Sequence, residues 1–155
     1  MDCFTFLMVF QAIHQASWES LMEGKVLYAS LLSSAMLLGS YPMTQIYQHQ
    51  EDAKRGDQTI SRMLGINGTF WFTAIFFSAS TGGFVLYFSH YFGWYYALAF
   101  MASLMPVLFF FLRWFYQAYR NTNKADFKST MKLNQLSAIC LNIFYVGMGL
   151  WLAFG

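Results

Sequence analysis

The chain has 155 residues, of which 57% are hydrophobic, 21% aromatic and only 10% charged. Soluble domains usually carry about 25% charged residues, so a chain this apolar cannot cover its surface with polar groups. The net charge of +2 is too small to indicate a nucleic-acid-binding protein. Cys3 and Cys140 both lie in apolar runs and match neither a disulfide framework nor a zinc-ligand spacing. We therefore predict an integral membrane protein with the lipid bilayer as its main partner and no bound nucleic acid.

The first 24 residues match neither a signal peptide nor a complete span. A signal peptide places positive charge before its apolar core, yet Asp2 comes first and Lys25 is the first basic residue. The apolar run from Cys3 to Ile13 is also well short of the roughly 20 residues that cross a bilayer. We interpret residues 1–24 as the tail of a preceding helix or as a helix that lies in the membrane interface.

Four later segments are long enough to cross a bilayer. Each holds roughly 20 mostly apolar residues, and each is predicted to be helical because lipid offers no partners for backbone polar groups. The predicted spans are residues 26–46, 69–89, 94–115 and 133–154. Pro42 and Pro106 lie inside two of them, where membrane helices tolerate a proline kink. The sequence thus predicts an all-α, polytopic transmembrane bundle that forms a single region over residues 1–155.

Small residues one helical turn apart predict where helices approach closely, although small residues are also simply common in membrane helices. Three such pairs are present: Ala35 with Gly39, Ser78 with Gly82, and Ala79 with Gly83.

The basic residues predict the orientation of the bundle, because they gather on the cytoplasmic side of membrane proteins. One group lies between the first and second predicted spans: Lys54, Arg55 and Arg62. The other extends from the end of the third predicted span to the start of the fourth: Arg113, Arg120, Lys124, Lys128 and Lys132. On the other side only Lys25 occurs, beside Glu19 and Glu23. We therefore predict a multi-pass protein whose charged loops are cytoplasmic.

The stretch from Tyr41 to Gly65 carries most of the candidate chemistry. Glu51, Asp52 and Asp57 place three carboxylates close together, with basic residues among them. Mg²⁺ uses one or two carboxylates together with substrate phosphates, and basic side chains bind the remaining phosphate charge. If the helix continues beyond the membrane, Gln48 and Asp52 share a face. The alternative from spacing alone is a solvated surface loop of mixed charge.

This stretch resembles the second aspartate-rich motif of the UbiA family of intramembrane prenyltransferases. That motif reads approximately DxxxD followed by xxxGxxTLxxxLG. The matching residues here are Gln48 and Asp52, followed by Gly56, Thr59, Ile60, Leu64 and Gly65. Gln48 replaces the first aspartate. The resemblance extends from about Val26 to the end of the chain and implies the second half of the UbiA fold.

The resemblance implies transfer of a prenyl group from a prenyl diphosphate to a lipophilic, possibly aromatic acceptor. The implied metal ligands are Asp52, Gln48 and Glu51, and Mg²⁺ would be held through the diphosphate. Lys54 and Arg62 are the implied diphosphate contacts. Weaker candidates are Tyr47 as an aromatic wall of the cavity, Asp57, and Arg113. For Arg113, snorkelling to the headgroups is the competing interpretation.

The family's first motif, NDxxDxxxD, does not occur in the sequence. The resemblance implies that both motifs hold the metal, so we expect prenyl transfer only together with an N-terminal half that carries the first motif. The chain is expected to be a fragment, a product of a truncated gene model or a degenerate relative. The alternative function is a non-catalytic small helical membrane protein or scaffold derived from the same fold.

Overall fold

A computed structural model describes residues 7–9, 11 and 22–154, apart from the side chain of Gln50. The interpretation of residues 1–24 therefore falls almost wholly outside the described residues. Five α-helices are found between residues 22 and 154: α1 Gly24–Gln45, α2 His49–Arg55, α3 Ile60–Tyr91, α4 Trp94–Arg120 and α5 Phe127–Phe154.

The predicted all-α bundle is confirmed. No strand occurs in residues 22–154, and in this range α3, α4, α5 and the continuous segment Gly24–Gln48 are long and apolar enough to cross a membrane. All four predicted spans coincide with these helices. The largest difference is that α3 begins at Ile60 rather than at residue 69. The Thr59 hydroxyl accepts a hydrogen bond from the Arg62 amide and so caps the helix at this earlier point.

Consecutive helices pack side by side, and α1 lies closest to α3. A Cβ atom added at Gly39 would come within 2.5 Å of the Phe76 Cβ atom, so only glycine permits this approach. The Thr73 hydroxyl donates a 2.8 Å hydrogen bond across the same interface to the Gly39 carbonyl. Gly83 contacts the end of the Leu32 side chain of α1, which can shift more easily than the Phe76 Cβ atom. Two of the predicted pairs of small residues thus do contribute to a helix contact.

Aromatic rings hold α3, α4 and α5 together. Towards one end, the ring of the fully buried Phe70 on α3 lies 5.0 Å from that of Trp114 on α4. Towards the other end, Phe88, Phe100 and Phe144 form a triangle with centroid distances of 5.1–5.2 Å. Aromatic pairs in such geometry add about 0.5–1.5 kcal/mol each beyond the area that they bury. These contacts fix the relative positions of the three helices.

Contacts at the two ends place the charged segments. Tyr47 follows α1, and its ring lies 5.0 Å from that of Phe127 at the start of α5. The two loops rich in basic residues therefore lie at the same end of the bundle. At the opposite end, the Lys25 ammonium group lies 4.3 Å from the ring centroid of Phe92, in the turn between α3 and α4. This arrangement agrees with the distribution of charge from which the orientation was predicted.

Gly65 interrupts α3 close to its start. Its dihedral angles, φ 68° and ψ 174°, belong to a region that only glycine occupies readily. The Thr69 hydroxyl lies 2.8 Å from the Gly65 carbonyl oxygen and 3.2 Å from that of Ser61, so it can donate to either. Residues 60–64 thus form a short helical segment that the Thr69 side chain ties to the rest of α3.

The pair Ser78 and Gly82 differs from the other two small pairs. Both residues line an open groove of about 490 Å³ between α3 and α4, and no atom lies within 4 Å of a Cβ atom added at Gly82. The side chains of Ser78 and Gly82 are small, and the larger residues of α4 opposite them do not fill the space that this leaves. The predicted helix contact at this pair is therefore replaced by a groove.

Candidate functional site

The candidate site is built on the connection from α1 to α3. A single 3₁₀ turn, Ile46–Gln48, leads from α1 into α2, and α2 ends at Gly56 with φ 81°. This left-handed conformation is the usual end of a helix and favours glycine. The backbone amides of Gly56 and Asp57 both donate to the Asp52 carbonyl oxygen. The chain can therefore reverse directly into α3, which brings α2 and the start of α3 together.

Asp52, Thr59 and Arg62 form a hydrogen-bonded group across this reversal. The Asp52 side chain is only 7% exposed, and its carboxylate accepts a 3.1 Å hydrogen bond from the Thr59 hydroxyl. The Arg62 guanidinium donates to the backbone oxygen of Asp57 at 2.6 Å and lies 3.4 Å from that of Asp52. Two motif positions, Asp52 and Thr59, thus meet directly, and an arginine is fixed beside them.

A second polar chain runs from α2 into the bundle. His49 Nε2 lies 2.7 Å from the Ser61 hydroxyl, which in turn lies 3.1 Å from the Thr69 hydroxyl. Ser61 and Thr69 are fully buried. Burial lowers the pKa of His49 below its usual 6.5; the Arg62 guanidinium acts in the same direction and the Asp52 carboxylate opposes both. The structure thus favours a neutral imidazole here.

The implied metal ligands are only partly brought together. Glu51 is exposed, whereas its neighbour Asp52 faces inward. Gln48 is half-buried, and its amide nitrogen donates a 3.0 Å hydrogen bond to the Tyr47 hydroxyl. Among the described residues, no three His, Cys, Asp or Glu side chains are grouped so that they could hold a metal ion. Because Mg²⁺ bound through substrate phosphates needs only one or two carboxylates, Asp52 remains a fitting single ligand.

The remaining candidate residues lie around this site. Lys54 on α2 and Asp57 just after its end are both exposed, and the Arg62 guanidinium donates to the Asp57 backbone oxygen. Tyr47 packs on Phe127 and so borders the site on the side of α5. Arg113 is exposed on the outer face of α4, the position expected of a side chain that snorkels to the headgroups.

The sequence pattern assigns no role to His49, Ser61 or Thr69, although these residues link the surface of the site to the interior of the bundle. The spacing of Ser61 and Thr69 gives no helical signal of its own. They meet because α3 is interrupted at Gly65, which lies midway between them. A glycine followed four residues later by a threonine at the start of a span was the only sign of this arrangement.

Comparisons with models of protein families, with curated proteins and with solved structures found no match to this chain.

Proposed function

We propose that this chain is an integral membrane protein that binds a prenyl diphosphate at the α1–α3 connection and takes part in Mg²⁺-dependent transfer of the prenyl group to a lipophilic acceptor. The proposal rests on one observation. Two of the residues that match the second UbiA motif, Asp52 and Thr59, bond to each other in a polar site, and Arg62 is fixed beside them. The two motif glycines, Gly56 and Gly65, both have positive φ angles that shape this site.

In the proposed mechanism, Asp52 is the Mg²⁺ ligand, supported by Gln48 and Glu51. Lys54 and Arg62 bind the diphosphate, for which the guanidinium is suited by its paired donors. A Mg²⁺ ion held there would supply positive charge to neutralise the departing diphosphate. The apolar helices hold the prenyl chain away from water, which protects a cationic intermediate from hydrolysis. Aromatic residues such as Tyr47 tolerate positive charge nearby.

The proposed function also requires an N-terminal half of the enzyme as a partner and a defined orientation of the bundle in the membrane. An N-terminal half with the first aspartate-rich motif supplies the remaining metal ligands, and the acceptor binds between the two halves. The charged end of the bundle faces the cytoplasm, in keeping with the positive-inside rule. A soluble prenyl diphosphate would reach the site from that side.

A non-catalytic role as a scaffold is the alternative, and one observation favours it. The Asp52 carboxylate is nearly buried and bonded to Thr59, so it also serves to fasten the loop. An aspartate with this structural task alone would have no need of a metal.

Direct binding distinguishes the two functions. Purified protein is reconstituted in lipid nanodiscs with the N-terminal half of a UbiA-family enzyme, which carries the first motif, and is titrated with a fluorescent farnesyl diphosphate analogue in Mg²⁺ or in EDTA. We expect binding that requires Mg²⁺ and that weakens about a hundredfold or more in Asp52→Asn, because a lost metal ligand removes several kcal/mol of electrostatic stabilisation. Asp57→Asn is the matched control and should bind nearly as well as the unmodified protein.

Gln48→Asp restores the family pattern and should raise the apparent affinity for Mg²⁺. Asp52→Asn must also keep the thermal stability of the parent for the comparison to hold. Thr59→Val removes the hydrogen bond to Asp52 and the cap on α3 but no charge, so its effect sets an upper limit on the structural share. Binding that is indifferent to Mg²⁺ and to all of these changes would support the scaffold instead.

A further inference from the structure

The groove between α3 and α4 has the size and composition of a site for an apolar chain. Its volume of about 490 Å³ falls within the range of about 300–1,000 Å³ that is usual for ligand sites. Its walls are apolar apart from a few small hydroxyl groups, and Met101 and Met105 of α4 contribute adaptable side chains. From Met101 to Leu112 the groove follows α4 for about 16 Å, given a rise of 1.5 Å per residue. A single extended hydrocarbon chain suits this shape.

A stripe of basic and aromatic residues continues along α4 beyond the groove, towards the charged end. Leu108, Leu112, Tyr116 and Arg120 follow one another at intervals of four residues, so they lie along one side of the helix. Arg120 lies about 12 Å beyond Leu112. Its guanidinium is 4.5 Å from the ring centroid of Tyr116, which holds it against the helix. Arg113 is exposed and lies seven residues before Arg120, so it borders the same stripe.

The α3 side of the groove also ends at an interfacial residue. Trp71 is 58% exposed and lies about two turns before Ser78, on the same side of α3. Its ring packs edge-on against Phe115 of α4 at 5.5 Å. Tryptophan is enriched at the level of the headgroups, so this pair marks the point where the groove meets the polar boundary of the membrane.

The charge at this end selects the kind of headgroup. Residues 46–132 include the whole of this end and carry eight basic and four acidic side chains. The bases are Lys54, Arg55, Arg62, Arg113, Arg120, Lys124, Lys128 and Lys132, and the acids are Glu51, Asp52, Asp57 and Asp126. Basic clusters beside a membrane helix attract anionic lipids, by about 1 kcal/mol for each Lys or Arg near the surface.

We propose that the groove between α3 and α4 binds one acyl chain of an anionic phospholipid from the surrounding bilayer, with the phosphate held by Arg113 and Arg120. Arginine is well suited to this contact because its donors can pair with two phosphate oxygens. The residues that line the groove belong to α3 and α4, with Leu133 of α5, and include none of Asp52, Thr59 and Arg62. The inference therefore does not rest on the proposed prenyl transfer, and either can fail without the other.

The test uses phospholipids that carry a photoactivatable diazirine in one acyl chain. The full chain is reconstituted in phosphatidylcholine nanodiscs with a small fraction of labelled phosphatidylglycerol or, in parallel, of labelled phosphatidylcholine with the same acyl chains. After illumination, labelled peptides are identified by mass spectrometry. We expect phosphatidylglycerol to label residues 101–112 about fivefold or more above the level reached by phosphatidylcholine. A fivefold difference corresponds to the roughly 1 kcal/mol that one basic residue contributes to the attraction of an anionic lipid.

Two pairs of variants separate the acyl-chain contact from the headgroup contact. Gly82→Leu fills the groove and should reduce labelling of residues 101–112 by both lipids. Gly149→Leu adds the same side chain in open space on α5 and should leave that labelling unchanged. Arg120→Gln should lower only the phosphatidylglycerol signal, by about fivefold. Lys124→Gln, in the exposed loop between α4 and α5, should have a smaller effect.

Equal labelling by the two lipids would overturn the proposal, as would a Gly82→Leu signal equal to that of Gly149→Leu. Unlabelled farnesyl diphosphate in excess should leave the phosphatidylglycerol signal unchanged. If it removed that signal, the groove would belong to the prenyl substrate and the phospholipid assignment would be wrong.

Discussion

His49 shows how one side chain can link the surface of the site to the interior of the bundle. Its ring contacts the buried Ser61 hydroxyl, and burial keeps the pKa of the imidazole below its usual 6.5. The unfolded protein therefore binds a proton at His49 more readily than the folded protein does. The free energy of unfolding then rises with pH in the window just below 6.5, and this contribution is lost as pH falls through the lowered pKa of the folded state.

We predict that replacing His49 will reduce this pH dependence. Thermal unfolding of the protein in detergent is compared at pH 7.5 and pH 5.5 for the parent and for His49→Gln. The parent should lose more stability on acidification than the variant, since glutamine cannot take up the proton. His90→Gln, at the exposed opposite end of the bundle, is the matched control and should behave as the parent does. Equal losses in the parent and in His49→Gln would contradict the role assigned to the imidazole.

At the scale of residues, the sequence led to part of the site and missed the rest for a physical reason. Asp52 and Arg62 were candidates because the resemblance to the second UbiA motif implies roles for them; their spacing alone fits a solvated loop of mixed charge equally well. Ser61 and Thr69 were not candidates, since a buried hydroxyl in a membrane helix usually bonds to its own helix. Asp52 faces inward and Glu51 faces solvent because of the rotation of α2 about its own axis. The 3₁₀ turn that precedes α2 sets this rotation, and the sequence pattern does not reveal that turn.

At the scale of elements, the two glycines at the ends of the α2–α3 connection decide its path. Gly56 has a left-handed conformation that asparagine and a few other residues also adopt, whereas the angles at Gly65 are accessible to glycine almost alone. No neighbouring atom comes within 4 Å of a Cβ atom added at either position. Any cost of substitution must therefore come from the backbone itself and not from crowding.

We predict that Gly65→Ala destabilises the protein by about 1–3 kcal/mol, the usual cost of holding a residue in such a region. Gly56→Ala should cost less, about 1–2 kcal/mol. Gly149→Ala is the control, since this glycine is helical and unhindered, and alanine there should be neutral or slightly stabilising. The measurement is denaturant unfolding in detergent micelles. A Gly65→Ala protein as stable as Gly149→Ala would show that the interruption of α3 carries no strain for alanine.

The helices themselves were predictable because lipid requires about 20 apolar residues in each span and leaves no alternative to a helix. Their ends were less so. The start of α3 at Ile60 depends on the cap by Thr59, and α4 continues to Arg120 beyond its predicted end at residue 115. There the Trp114 indole nitrogen donates to the Lys124 carbonyl and closes the following loop. Such local contacts lie outside what hydrophobicity can indicate.

At the scale of the whole molecule, the orientation in the membrane follows from charge and is open to a direct test. The basic loops lie at one end of the bundle, as the Tyr47–Phe127 contact requires, and Lys25 lies at the other against Phe92. The positive-inside rule predicts that the basic end faces the cytoplasm. Both basic loops lie at the same end of the bundle and therefore on the same side of the membrane. A label that reaches one of them from the cytoplasm must reach the other as well.

Single cysteines report this arrangement in a background from which Cys3 and Cys140 have been removed by substitution with serine. We predict that Arg55→Cys and Lys124→Cys react with a membrane-impermeant maleimide only when it is added from the cytoplasmic side. Tyr91→Cys, at the end of α3 beside the opposite turn, should react only from outside. The two basic positions test the fold, because both must react from the same side of the membrane. Tyr91→Cys tests whether α3 and α4 each cross the membrane between these two positions. If Tyr91→Cys reacted from the cytoplasm together with Arg55→Cys, α3 would not cross the membrane. Arg55→Cys and Lys124→Cys could instead react only from outside, and Tyr91→Cys only from the cytoplasm. That result would agree with the bundle, and only the assignment of its basic end to the cytoplasm would be wrong.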